Sequence, residues 1–198
     1  MNLLCVSTFA KLPKEIAECS IIAGGAAVDP LKATDIDIFV MCFRGIADDK
    51  QRQNALFEAV TGNKPDPELD LVTDYESGVT TNGTTVVCTL GGPTGKNIQI
   101  IDTKDRTPGE IITKFDLDIH AVAYDYSGVQ YALPTHTRVA TKINLNNVSN
   151  PAATLIRYRK LCLRYEITPD PAVLVRLGSM PDPVKQMANT TDFDEIPF

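Results

Sequence analysis

The chain has 198 residues, 43% hydrophobic and 22% charged, with a net charge of −6. That length suffices for one good-sized domain with a real core, and the acidic balance argues against a broad nucleic-acid-coating surface. No apolar run approaches a membrane span, and five scattered cysteines without a CxxC pair argue against a zinc site or a disulfide framework.

The start, "MNLLCVSTFAKLPKE", lacks a basic n-region, so no signal peptide is expected. Free thiols then fit a reducing cytosol. Residues 12–19 are expected to form a short helix opened by Pro13. "SIIAGG" reads as an apolar approach to a glycine turn, and "TDIDIFVMCF" as a strand. "DDKQRQNALFEAVTG" places acids first and Gly62 last around apolar residues at helical spacing, which predicts a helix. "KPDPELD" reads as a loop. "GTTVVCTL" and "NIQIID" read as strands joined by the hairpin turn "GGPTGK". That turn is not a Walker loop, because the glycine spacing is wrong and Asn97 follows Lys96. "TPGEIITKF" is expected to be a short helix with Pro108 in its first turn. "DLDIHAVAYD" and "VQYALP" read as strands around a "YSG" turn, and "NPAATLIRYRKLCLRYEI" as the longest helix. That helix has no clean apolar stripe, which suggests burial on two sides. The remainder is proline-rich, then polar and acidic, and its last ~15 residues read as disordered. Strands that are both adjacent and helix-separated imply α+β with a mixed sheet.

Within the "TDID" strand, alternate side chains share a face. Asp35 and Asp37 therefore project together, while Ile36, Ile38 and Val40 point to the core. The two carboxylates would stand roughly 7 Å apart and repel by about 2 kcal/mol at an effective dielectric of 20. A solvated strand end tolerates that, and so does a bridging cation. Hard divalent ions such as Mg²⁺ take carboxylate oxygens and keep waters for phosphates to replace. Just upstream, Gly24 and Gly25 would let backbone N–H groups approach a phosphate closely.

"IAGGAAVDPLKATDIDIFV" is similar to the signature of the nucleotidyltransferase superfamily, which has the polymerase β-like fold. "NIQIID", "TPGEIITKF", the "FD" and "VAYD" segments and the basic helix follow in the order of a subgroup common in phages and large DNA viruses. The resemblance spans roughly residues 20 to 170. It implies an α+β mixed-sheet core flanked by helices over residues 1–180, with a flexible acidic tail over 181–198. It implies transfer of a nucleoside monophosphate from an NTP to an unidentified acceptor, nucleic acid or protein, by a cytoplasmic protein (in the host cytoplasm if viral). Asp35 and Asp37 would hold Mg²⁺, with Mn²⁺ as the other candidate. Asp116 would complete the site and help activate the acceptor hydroxyl, with Asp118 as the rival. Gly24 and Gly25 would present amides to the phosphates. The other reading of "DLDIH" is a solvated edge strand.

Arg157, Lys160 and Arg164 are spaced i, i+3, i+7 and share a helix face. They either neutralise a triphosphate or nucleic-acid backbone, or form an ordinary solvated face. His120 shares the expected strand face of Asp116, and His136 has no assigned role.

The chain ends "TDFDEIPF". This resembles the acidic C-terminal tip of bacterial single-stranded DNA-binding proteins, although nothing else here suggests their OB-fold. In a docking peptide, Phe198 would enter an apolar pocket while its carboxylate meets an arginine. Asp192, Asp194 and Glu195 would face a basic rim, beside Phe193 and Ile196, and Pro197 would limit the entropy lost. The resemblance implies DNA replication and repair proteins as partners. The other readings are a merely solubilising tail, and a non-catalytic module that uses the tip to intercept host proteins.

Overall fold

The computed structural model describes residues 3–65, 84–92, 95–134 and 142–179. The loop at 66–70, His136, Pro93 and Thr94 of the hairpin turn, and the acidic segment 181–198 with its whole docking tip lie outside them.

Alternating and β-branched segments build β1 (Ser20–Ala23), β2 (Asp35–Met41), β3 (Thr84–Gly91), β4 (Asn97–Thr103), β5 (Val122–Asp125) and β6 (Gln130–Ala132). They form one sheet in the order β3-β4-β2-β1-β5-β6. β2 pairs parallel with β4 and antiparallel with β1, and β3–β4 is the expected antiparallel hairpin. Across its turn, Gly92 N donates to Lys96 O at 2.7 Å. The fold is therefore α+β with a mixed sheet.

Helices α1 (Leu3–Phe9), α2 (Lys14–Ala17) and α4 (Asp49–Thr61) flank the sheet together with α5 (Pro108–Ile112), α6 (Pro151–Tyr165) and α7 (Pro171–Ser179). Residues of α1, α2 and α4 pack on Ile36, Ile38 and Val40, the core face of β2. Phe39, on the other face, joins Ile111 and Ile112 of α5. A third cluster joins Leu117 and Ile119 to Tyr158 and Leu161 of α6 and Leu177 of α7. The caps match the sequence signals. Asp48 Oδ1 accepts from Gln51 N at 2.8 Å and Gly62 closes α4 at φ 73°. Thr107 and Glu110 form a capping box on α5.

Three expectations are corrected. "DLDIHAVAYD" is not one strand: Asp118–His120 is a 3₁₀ turn and the strand begins only at Val122. The reason is a long-range contact. Asn144 donates its N–H and its side-chain amide to the Asp118 carboxylate, at 2.8 and 2.6 Å. Second, α6 is buried along a single stripe, Thr154, Tyr158, Leu161 and Cys162, while Ile156 and Leu163 are exposed. Third, α7 is a helix within the stretch read as a proline-rich remainder, with Asp170 N donating to Tyr158 Oη at 2.8 Å just before it. α1 was likewise not among the expected elements.

One buried ion pair ties α4 to the sheet. Arg52 Nε and Nη2 donate to Asp102 of β4, both at 2.7 Å, and Nη1 donates to Ile46 O. Both side chains are almost fully enclosed. Arg52→Ala should therefore lower stability by about 3–5 kcal/mol, because Asp102 is left charged and buried. Urea unfolding followed by circular dichroism measures it.

Candidate functional site

The turn after β1 determines the geometry of the site. Gly24 has φ 73° and ψ −143°, a region open in practice only to glycine. A Cβ there would also lie 3.2 Å from the Phe115 ring and 3.8 Å from Asp37 Oδ2. A Cβ on Gly25 would lie 3.9 Å from His120 Nε2. The glycine pair therefore lies against Asp37, Phe115 and His120. Gly24 donates its own N–H to Val122 O at 3.2 Å, within the sheet. The amide expected to reach a phosphate is thus not Gly24's. Gly25, named with it, opens α3 (Gly25–Val28), where the first helical amides have no intrahelical acceptor.

β2 places its carboxylates as its period demands. Asp35 and Asp37 are both partly buried and alternate with fully buried Ile36 and Ile38. Ala23 stands opposite Asp37 across the β1–β2 ladder, which brings the glycine turn to the carboxylate. Burial, and then the neighbouring Asp35, push the Asp37 carboxyl up to about 7, while Arg157 pulls it down. Arg157 of α6 therefore lies within electrostatic reach of Asp37.

Arg157 also ion-pairs with Asp116: its Nη1 donates to Asp116 Oδ2. Thr154 Oγ1, one turn earlier on α6, donates to the same oxygen at 2.7 Å. Asp116 is almost completely buried. Arg157 is thus ion-paired with Asp116 and acts through space on Asp37, which lies beside the glycine turn. Asp118 is directed to Asn144 instead. Lys160 is exposed, and the backbone oxygen of Arg164 accepts from Lys32 Nζ at 3.5 Å. Sequence reasoning missed Phe115, Thr154 and Lys96. Lys96 Nζ donates to the carbonyls of Leu31 and Ala33 and anchors the approach to β2. Only the rejected "GGPTGK" turn drew attention to that lysine.

Asp35 and Asp37 have the donor chemistry for a hard divalent cation, namely close carboxylate oxygens with too little counter-charge. Among the described residues, no three carboxylate, imidazole or thiol side chains are grouped so as to hold one metal ion. Asp116, engaged by Arg157, does not join the pair in this arrangement.

No family model matches the sequence, and no curated protein does. Among solved structures, the chain is similar to the Bacillus stearothermophilus CCA-adding enzyme in complex with CTP. The identity is 19% and the TM-score 0.43, over 83% of this chain and 38% of that one. This chain thus spans well under half the length of that enzyme. Among the described residues, no helix is long and apolar enough to cross a membrane.

The raised Asp37 carboxyl gives a signed expectation. Folded, Asp37 keeps its proton up to about pH 7; unfolded, it loses it near 4. The folded state then binds more protons in that window, so stability falls as pH rises from 4 to 7. In EDTA the loss should be about 3 kcal/mol, and Asp37→Asn should flatten it. Denaturant unfolding at several pH values reads both. Gly24→Ala should destabilise by about 1–3 kcal/mol through its backbone alone, measured as a lowered urea midpoint.

Proposed function

We propose that this chain is a nucleotidyltransferase that moves a nucleoside monophosphate from an NTP to a hydroxyl acceptor. The observation supporting the reading is Asp37 beside the Gly24 turn and next to Asp35 on β2, with Arg157, the partner of Asp116, acting on Asp37 through space. Asp35 and Asp37 would hold Mg²⁺, or Mn²⁺ in its place, which when bound supplies positive charge to the triphosphate oxygens.

The chain's own residues do the rest. The Gly25 amide donates to a phosphate oxygen at the start of α3. Arg157, Lys160 and Arg164 face the remaining negative charge from α6. Asp116 accepts the proton of the acceptor hydroxyl as its oxygen bonds to the α-phosphorus. The bond from that phosphorus to the bridging oxygen breaks, and pyrophosphate leaves. The acceptor class is nucleic acid or protein. The tip Asp192–Phe198 docks the enzyme on proteins that recognise the end of single-stranded DNA-binding proteins, a reading supported by sequence alone.

A second reading rests on one contact. The Arg157–Asp116 pair engages the third carboxylate, as suits a nucleotidyltransferase scaffold that binds partners without transferring anything. The two separate in one experiment. Labelled NTPs and Mg²⁺ are incubated with the full chain and cell lysate. The enzyme should label one macromolecule, and Asp35→Ala should reduce labelling at least about a hundredfold, the scale of losing a metal-held electrostatic contact. Absence of label with every NTP, while deletion of Phe198 abolishes partner pull-down, decides for the binding module.

A further inference from the structure

We propose that the solvent-facing stripe of α6 from Ile156 to Leu163 is a docking surface for the chain's own segment Asp192–Phe198. A protein that takes the tip must then displace it from α6. The inference stands whether or not the chain transfers nucleotides.

One stripe of α6, Thr154, Tyr158, Leu161 and Cys162, is buried, and most of it lies in the third cluster. A surface helix is expected to be polar on the side opposite its buried stripe. Ile156 and Leu163 instead stand in solvent, 59% and 83% exposed. They are spaced i, i+7 and share a face, with Arg159 and Lys160 exposed between them at i+3 and i+4. Single exposed apolar residues are ordinary, but the charge around this pair is not. α6 carries Arg157, Arg159, Lys160 and Arg164 and no acid. Arg157 pairs with Asp116, whereas among the described residues Arg159 and Lys160 have no ion-pair partner. α1 also exposes Leu3 and Val6, but it bears no charged side chain.

An occupant of this face has to be both acidic and apolar. "DFDEIPF" interleaves Phe193, Ile196 and Phe198 with Asp192, Asp194 and Glu195 and has no basic residue. The spacing fits. Ile156 to Leu163 covers about 10 Å of helix, and Phe193 to Ile196 covers about 10 Å of extended chain. The reach fits too. α7 packs on α6 through Leu177 and ends at Ser179, so the segment departs beside α6. Residues 180–191 can span up to about 40 Å, against about 22 Å for the whole of α6. Such a tether gives an effective concentration of about 1 mM, so a contact as weak as about 0.5 mM leaves only about a third of the tips free. Single-stranded nucleic acid would meet the same charge, but it needs aromatic rings to stack on, and this face presents Ile156 and Leu163 instead.

The chain has no tryptophan, so Phe193→Trp in the full chain reports on the segment alone. Its emission should lie to the blue of the isolated peptide bearing the same substitution, with acrylamide quenching roughly threefold weaker. Leu163→Asp should return both to the peptide's values. Arg159→Glu with Lys160→Glu should do the same, and adding Asp194→Lys with Glu195→Lys should restore the shielding, as a charge-swap cycle requires. All four positions are solvent-facing or lie in the segment itself, and circular dichroism checks folding. Shielding should survive dilution of about a hundredfold, because the contact is intramolecular, and should weaken in about 1 M NaCl, where charges act over only ~3 Å. Phe198→Trp is the second reporter. Peptide-like values from both reporters overturn the proposal, as does shielding that persists in both Leu163→Asp and the basic reversal. Shielding lost on dilution assigns the face to the tip of a second copy and overturns docking within one chain. A labelled single-stranded oligonucleotide that binds the parent chain but not the basic reversal, with both reporters peptide-like, makes the face a nucleic-acid surface and overturns it as well.

Discussion

Asp35 and Asp37 repel each other on a strand hydrogen-bonded along both edges, to β1 and to β4, so neither can retreat without breaking a ladder. Their charge has to be met where they stand. Burial makes that harder and pushes Asp37 up to about 7. The surroundings follow from this constraint. The turn beside Asp37 is built of glycine, where a Cβ on Gly24 would press on the Phe115 ring at 3.2 Å and touch Asp37 Oδ2 at 3.8 Å. Counter-charge comes from α6, whose Arg157 holds the Asp37 carboxyl down through space against its burial. The same arginine then captures Asp116, so one residue links the glycine-turn site to the third hydrophobic cluster.

Elements whose cause is local were legible in the sequence. β2 was readable because its period of two separates Ile36, Ile38 and Val40 from Asp35 and Asp37 without a break. α4 and α5 carry their own punctuation, Asp48 and Gly62 on one, Thr107 and Glu110 on the other. The stretch from Asp116 to Asp125 has equally good alternation, yet it folds into a turn and then a strand. What decides it is Asn144, 26 residues away, whose two donors each bind one oxygen of the Asp118 carboxylate. No window around Asp118 contains that information. α7 fails for another reason. Its prolines read as breakers, although a proline at the first position of a helix removes no hydrogen bond that would otherwise form.

The site was half legible for the same reasons. A strand period suffices to put Asp35 beside Asp37, and a helix period suffices to align Arg157 with Lys160. Neither period says which acid the arginine meets. The choice of Asp116 over Asp118 is tertiary: Asp116 faces Thr154 and Arg157 on α6, and Asp118 faces the chain at Asn144. The glycines show a subtler limit. The pair was readable as a turn, but which amide remains available depends on β5 lying alongside, because Val122 O takes the N–H of Gly24.

The chain contains two arginine–aspartate pairs of interest, and their contrast bears on function. Arg52 and Asp102 are enclosed to the same degree, at 3% and 2% side-chain exposure, and are joined by two bonds, with Asp49 and Ile46 O each taking a further donor. Such a guanidinium has nowhere to go, and removing either partner leaves a buried charge. Arg157 and Asp116 are joined by one bond, with the acid enclosed and the base half in water. The same chemistry thus serves opposite ends. In the first pair, symmetry of burial makes a permanent clamp between helix and sheet. In the second, the acid is enclosed while its partner stands half in water, so the pair holds α6 to the Asp116 segment by one exposed bond rather than by a sealed clamp.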